Sequence, residues 1–111
     1  MPVRWLYHAK LKEDPLTDPY APPGLHKEGF IHASFVPAIA ESVRLYFPEP
    51  EQVEILQIDP RALDTPVTLA ETPRGPMPHI MGPIPAAAVV HRWTIDDVHE
   101  APDARIEPPG G

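Results

Sequence analysis

From Val3 to Lys10 apolar and polar positions alternate: Val3, Trp5 and Tyr7 fall on one side, Arg4, Leu6 and His8 on the other. That two-residue period, in a run rich in β-branched and aromatic residues, predicts a strand. Gly29 to Ala33 reads as a second, shorter strand that ends at Ser34. The period then changes. Val36, Ile39, Ala40, Val43 and Phe47 recur at three- and four-residue spacing and form the apolar stripe of a helix. Ser34 is placed to cap it, Pro37 falls in the first turn, where a missing N–H costs little, and Pro48 and Pro50 end it. Val53 to Asp59 is a third strand with apolar residues on both faces, which predicts cover on both sides and paired edges.

The second half of the chain is broken up by proline. Val67 to Glu71 reads as a weaker strand, Thr72 to Pro78 as a stiff loop long enough to be a lid, and His79 to Gly82 as a short extended piece. Ala88 to Ile95 makes a final strand, expected in the middle of the sheet. From Leu11 to Gly24, Pro15, Pro19, Pro22 and Pro23 limit any helix to about one turn. Beyond Asp96 the periodicity disappears and a frayed tail is expected. Short strands not separated by regular crossover helices, with one main helix, give an α+β class. Residues 1–95 make one domain and 96–111 an acidic, Pro/Gly-rich C-terminal tail.

Composition narrows the function classes. With 111 residues there is room for a single core. The 18 prolines lie between apolar runs without a repeat, so they punctuate strands and turns. The net charge is −7, and no basic patch offsets it, which argues against a nucleic-acid partner. Five acids after residue 95 against Arg105 put −4 of that charge in the tail. The absence of cysteine excludes disulfides, thiol nucleophiles and thiolate metal ligands. No stretch has the apolar length of a signal peptide or a membrane span, so a cytoplasmic protein without a membrane partner is expected.

Six histidines are the candidate chemistry. His26 sits in a polar loop and His99 in the tail, where solvation explains them, and His91 could face either way. His8, His32 and His79 each lie in or beside a short strand near a turn. Histidine transfers protons near neutral pH and is the commonest metal ligand, but a lone strand histidine is as readily a hydrogen-bonded structural residue. Ser34, before the helix, is read first as its cap, a role compatible with an anion site there. Arg74 and Glu71 read as parts of a proline-stiffened connection. Phosphate-binding Gly-rich loops, nucleophile elbows and His-Glu-x-x-His are absent. Three imidazoles and a water can make a zinc site, but no two of these histidines have helical or hairpin spacing, so no metal is expected.

Leu6-Tyr7-His8, Glu28-Gly29-Phe30-Ile31-His32-Ala33-Ser34, Ile58-Asp59-Pro60 and Pro78-His79-Ile80-Met81-Gly82-Pro83-Ile84, in that order, resemble the bacterial domain-of-unknown-function family nine hundred fifty-two. The resemblance runs from Val3 to about Trp93, with Met81 where the family usually has an aromatic residue of the pocket wall. It implies a fold similar to ADP-ribosyltransferases: a small split mixed β-sheet with one main helix, clasping NAD or a nucleotide-like small molecule. On that likeness Tyr7, His8, Gly29, Ser34 and Gly82 would bind substrate. His32 and His79 would be catalytic, in an ADP-ribosyl or related transferase if the protein is an enzyme. Ala9 replaces the glycine usual after the first-strand histidine. The glutamate that stabilises the oxocarbenium-like transition state has no match, so a developing cation would lack its carboxylate. The alternative is a non-enzymatic ligand-binding or protein-interaction module, in which the three histidines need not share a cleft.

Overall fold

Alternating apolar residues give this chain many short strands, and the computed structural model, which describes residues 3–106, shows how they pair. In order they are β1 (Val3–Arg4), β2 (Leu6–Leu11), α1 (Pro23–Glu28), β3 (Ile31–His32), α2 (Val36–Tyr46), β4 (Val53–Ile58), β5 (Val67–Thr72), β6 (Gly75–Ile80), β7 (Val89–Trp93) and β8 (Ala104–Ile106). The result is a small α+β fold with one main helix. Two three-stranded sheets, β2-β4-β7 and β3-β6-β5, are accompanied by the pair β1-β8.

Every strand pairing among the described residues is antiparallel, so the expected mixed sheet is corrected. Parallel neighbours need a crossover that returns the chain to the same end of the sheet, and no sheet neighbours here are so joined. The two sheets meet at one stitch, where Tyr7 and Ser34 exchange backbone hydrogen bonds of 2.8 Å in each direction.

β4 is covered on both faces, as its pattern predicts. On one side Leu6, Leu56 and Ile58 pack with Tyr20, Ile31, Ile80 and Ile84. On the other, Tyr7, Val53 and Ile55 pack under Ile39 and Val43 of α2. Buried Gln57 shares that second face because its Oε1 accepts the indole N–H of Trp93 at 2.9 Å.

Several expectations are overturned. The first strand breaks at Trp5, whose N–H donates to Asp103 O at 3.1 Å. Helix α2 starts one residue later than expected, on Phe35 without a side-chain cap, because Ser34 is held in the stitch with Tyr7. His26, expected in a polar loop, lies instead in helix α1, which forms directly behind the prolines with Pro23 in its first turn. The final strand, β7, lies at a sheet edge, since β4 already has β2 on its other side.

The 72–78 segment, expected as a loop, is mostly strand: it turns at Pro73–Arg74 and runs back as β6. Pro76 and Pro78 face Glu71 and Leu69 two residues apart, so they fall in the same, non-hydrogen-bonded class of antiparallel pair, where no donor is missed.

The expected frayed tail is also corrected as far as Ile106. Val98 is buried under α2, Arg4 pairs with Asp103 at 2.8 Å, β8 pairs with β1, and the Tyr7 hydroxyl donates to Pro102 O. Residues 107–111 of that tail lie outside the described residues. Burial of the Tyr7 phenol and the nearby Asp103 charge raise its pKa, so this donor stays protonated. Tyr7→Phe leaves the Pro102 carbonyl without its donor and should lower unfolding free energy by about 1–2 kcal/mol, read from urea denaturation.

Candidate functional site

The two-residue period of the second sheet determines what faces the cleft. In its register Ile31 is opposite Ile80 and His32 opposite His79. Paired residues point to the same face, so the isoleucines enter the core together and the histidines leave it together. Phe30, two residues before His32, lies on the histidine face. Its ring stacks on His79 with centroids 3.8 Å apart and planes 9° apart. The His32 ring meets His79 edge-on at 5.5 Å.

That face forms one wall of a cleft of about 670 Å³, closed on other sides by the β2 edge, α2 and the tip of the β5–β6 hairpin. Small-molecule sites span roughly 300–1,000 Å³, so the size suits a metabolite. His8, His32 and His79 all line it, together with Ser34, Ser42 and Arg74 between apolar walls from Ile39, Phe47 and Met77. The three histidines picked from sequence therefore share one cleft.

Their protonation is set by their neighbours. His8 Nδ1 lies 2.6 Å from the His32 carbonyl oxygen, which can only accept, so Nδ1 carries the hydrogen. Nε2 of neutral His8 is then an acceptor, with the Tyr20 hydroxyl donating at 3.3 Å. Burial pushes the His8 pKa down to about 4 against the opposing pull of that carbonyl. Tyr20 is pushed up to about 12 by burial, with Asp14 and Glu54 adding to it, so its hydroxyl remains a donor.

His32 is more open. Its Nε2 donates to Glu28 Oε2 at 2.7 Å, a carboxylate–histidine pair that orients the ring and leaves Nδ1 of the neutral form as an acceptor. His79 is lowered by burial and by the proximity of His32, with Glu28 opposing, so it is a neutral imidazole at pH 7. Such a group accepts a proton or hydrogen bond from a bound molecule.

Not every expected contact residue reaches the cleft. The Tyr7 side chain is fully buried and its hydroxyl is taken by Pro102; it contributes a wall, not a polar contact. Gly29 ends α1 in the left-handed conformation at φ +84°, with its N–H on Leu25 O, and does not line the cleft. Gly82 is a packing position, since a Cβ there would sit 2.5 Å from Thr65 Cγ2. Met81, expected in the wall, lies outside the lining and accepts from Thr68 Oγ1; Met77 takes its place.

Two residues set aside or unassigned in sequence matter instead. Glu28 orients His32 from four residues earlier, a spacing with meaning only once α1 is seen to end between them. Arg74, read from sequence as part of a stiff connection, reaches from the hairpin tip to α2, with Nε on Glu41 Oε1 at 2.8 Å and Nη2 on Ser42 Oγ at 3.0 Å. A hairpin turn, rather than a loop, is what aims it there.

Among the described residues no three His, Cys, Asp or Glu side chains gather to hold a metal ion, and no helix is long and apolar enough to cross a membrane.

The crystal structure of protein CC0527 from Caulobacter crescentus shares this fold, with a TM-score of 0.69 at 16% identity over 81% of this chain and 84% of that one. A double mutant of the same protein gives a TM-score of 0.68 at 14% identity, with the same coverage. Comparison with curated proteins finds no match. The sequence profile of the family described as protein of unknown function DUF952 matches residues 7–92, from the stitch at Tyr7 through both cleft walls to β7. The chain belongs to that family.

Proposed function

We propose that this cleft binds NAD or another nucleotide-like small molecule, in a split-sheet arrangement similar to that of ADP-ribosyltransferases. The observation that carries the reading is the convergence of His8, His32 and His79 on one cleft of metabolite size. Phe30 covers one face of the His79 ring, and a planar base or nicotinamide on the other face would extend that stack. His8 Nε2, which the Tyr20 hydroxyl reaches only at 3.3 Å, is the acceptor a ribose hydroxyl would compete for.

Binding is better supported than transfer. None of the described residues lining the cleft is Asp or Glu, and Glu28 beside it is engaged by His32, so a developing oxocarbenium ion would meet no free carboxylate. The groups able to carry protons in the cleft are the Glu28–His32 pair and neutral His79. A protein-interaction role is the second reading; Leu45, 59% exposed on α2, with Tyr46, 71% exposed at the cleft edge, favours it.

The test is thermal. At a ligand concentration a hundred times Kd, a molecule specific for the native state adds about 2.7 kcal/mol of stability. NAD and ADP-ribose at millimolar concentration should raise the Tm of the wild type, and His79→Ala and His8→Ala should each remove most of the rise. No shift with either ligand, or shifts that both variants retain, would sink the nucleotide reading.

A further inference from the structure

Arg74 is the sole Lys or Arg among the described residues lining the cleft, and its surroundings are unequal. Its side chain is 24% exposed, whereas Glu41, its counterion, is 65% exposed. An exposed ion pair of this kind is worth little and gives way readily. Nη2 is held from the helix side by Ser42 Oγ at 3.0 Å and, more loosely, by Ala38 O at 3.4 Å. Nη1 makes no hydrogen bond to any described residue. Ser42 Oγ accepts from Arg74, which leaves its own hydrogen for another acceptor; Ser34 Oγ stands 3.5 Å away. The guanidinium is thus positioned by the helix while its charge is balanced by an exposed surface carboxylate.

From this geometry we propose that Arg74, Ser42 and Ser34 form the anion subsite of the cleft, taking a phosphoryl group that displaces Glu41. The proposal rests on the cleft being a ligand site, as read above, and names the class of ligand. A planar guanidinium fork plus two hydroxyls offers more donors than the two oxygens of a carboxylate can use; the three oxygens of a phosphoryl group match them better. Arg74 and His79 are five residues apart along the hairpin, about 16 Å of extended backbone. The Arg74 side chain reaches back to Ser42 beside Ser34. Ser34 is two residues beyond His32, the register partner of His79, so the anion subsite lies next to the Phe30–His79 stack along one cleft. A ligand filling both has a phosphoryl group at one end and a planar ring at the other, as nucleoside phosphates do.

Pyrophosphate alone probes the subsite without the ring. Titrated into the wild-type protein and followed by amide NMR, it should shift the Ser34, Ser42 and Arg74 resonances with saturation in the millimolar range. Arg74→Gln should weaken it at least tenfold. Glu41→Gln, which removes the competing carboxylate and leaves the guanidinium in place, should tighten it several-fold. His79→Ala should leave pyrophosphate unchanged while weakening ADP. Absence of shifts at those three amides, or equal affinity in wild type, Arg74→Gln and Glu41→Gln, overturns the subsite even if NAD binds. Pyrophosphate binding that follows this pattern without any response to NAD, ADP or ADP-ribose keeps the subsite and removes the nucleotide reading.

Discussion

Glu54→Leu is expected to destabilise the protein by about 3–5 kcal/mol, because it strands a buried ammonium. Lys10 and Glu54 are directly opposed across β2 and β4, with Nζ 2.7 Å from Oε2 and side-chain exposures of 3% and 15%. Lys10 also donates to Leu11 O and Asp14 O, which satisfy two of its three hydrogens but do not neutralise its charge. The reverse truncation is milder. Lys10→Met leaves Glu54 partly exposed and still 3.3 Å from Arg92 Nη1, so about half the loss is expected. The double variant Lys10→Met/Glu54→Leu removes both charges and should recover to within about 1–2 kcal/mol of wild type. Urea denaturation of the four proteins gives the cycle. A Lys10→Met loss equal to or larger than that of Glu54→Leu would contradict this assignment of the buried charge. The pair also matters to the site, since it clamps the strand that carries His8.

Acidification is expected to cost the native state roughly 2–3 kcal/mol between pH 6.5 and 4 through His8 alone, after a discount for its partial exposure. The folded pKa of about 4 lies below the ordinary 6.5, so in this window the unfolded chain binds the proton first. Stability is therefore complete above pH 6.5, falls as pH drops, and levels off below about 4. His79 is shifted in the same direction and adds to the slope. Asp97 works in a separate, more acidic window: the Thr94 backbone N–H holds its carboxyl below the usual 3.8, and that contribution is lost below that value. His8→Gln keeps a donor for the His32 carbonyl and removes the titration. Urea midpoints at pH 7, 5.5 and 4.5 should fall steeply in wild type and much less in the variant. Parallel slopes would assign the acid sensitivity elsewhere. Because His8 stays neutral down to pH 5, it acts in the site as a hydrogen-bond acceptor and not as a cation.

The periodic parts of the fold were legible in the chain. Val53 to Ile58 declares itself by having apolar residues on both faces, and the stripe from Val36 to Phe47 finds α2 within a residue or two. The prolines misled in one direction only. Pro76 and Pro78 read as loop because a central strand cannot spare donors, yet both fall where the β5 register asks for none, and on the β3 side Pro78 still accepts from the Ala33 N–H at 3.1 Å. The packed tail was missed for a different reason. Its buried anchor, Val98, is a single residue, and its hold on the domain comes from pairing with Arg4, Trp5 and Tyr7 some hundred residues earlier in sequence.

The same division holds at the site. Which side chains could do chemistry was a matter of residue type, and His8, His32 and His79 follow from sequence because imidazoles at strand ends are few. That they share a cleft was decided by register, since slipping β3 against β6 by one residue would turn one histidine into the core. The proton positions of His8 were decided by a carbonyl from another strand, and the orientation of His32 by the end of α1. The aim of Arg74 was decided by a two-residue turn. Local pattern determined the elements and the candidate residues of this protein. Long-range pairing alone decided the joint between its two sheets, the fate of its tail and the company each site residue keeps, because hydrogen bonds and contacts between distant segments leave no period in the sequence.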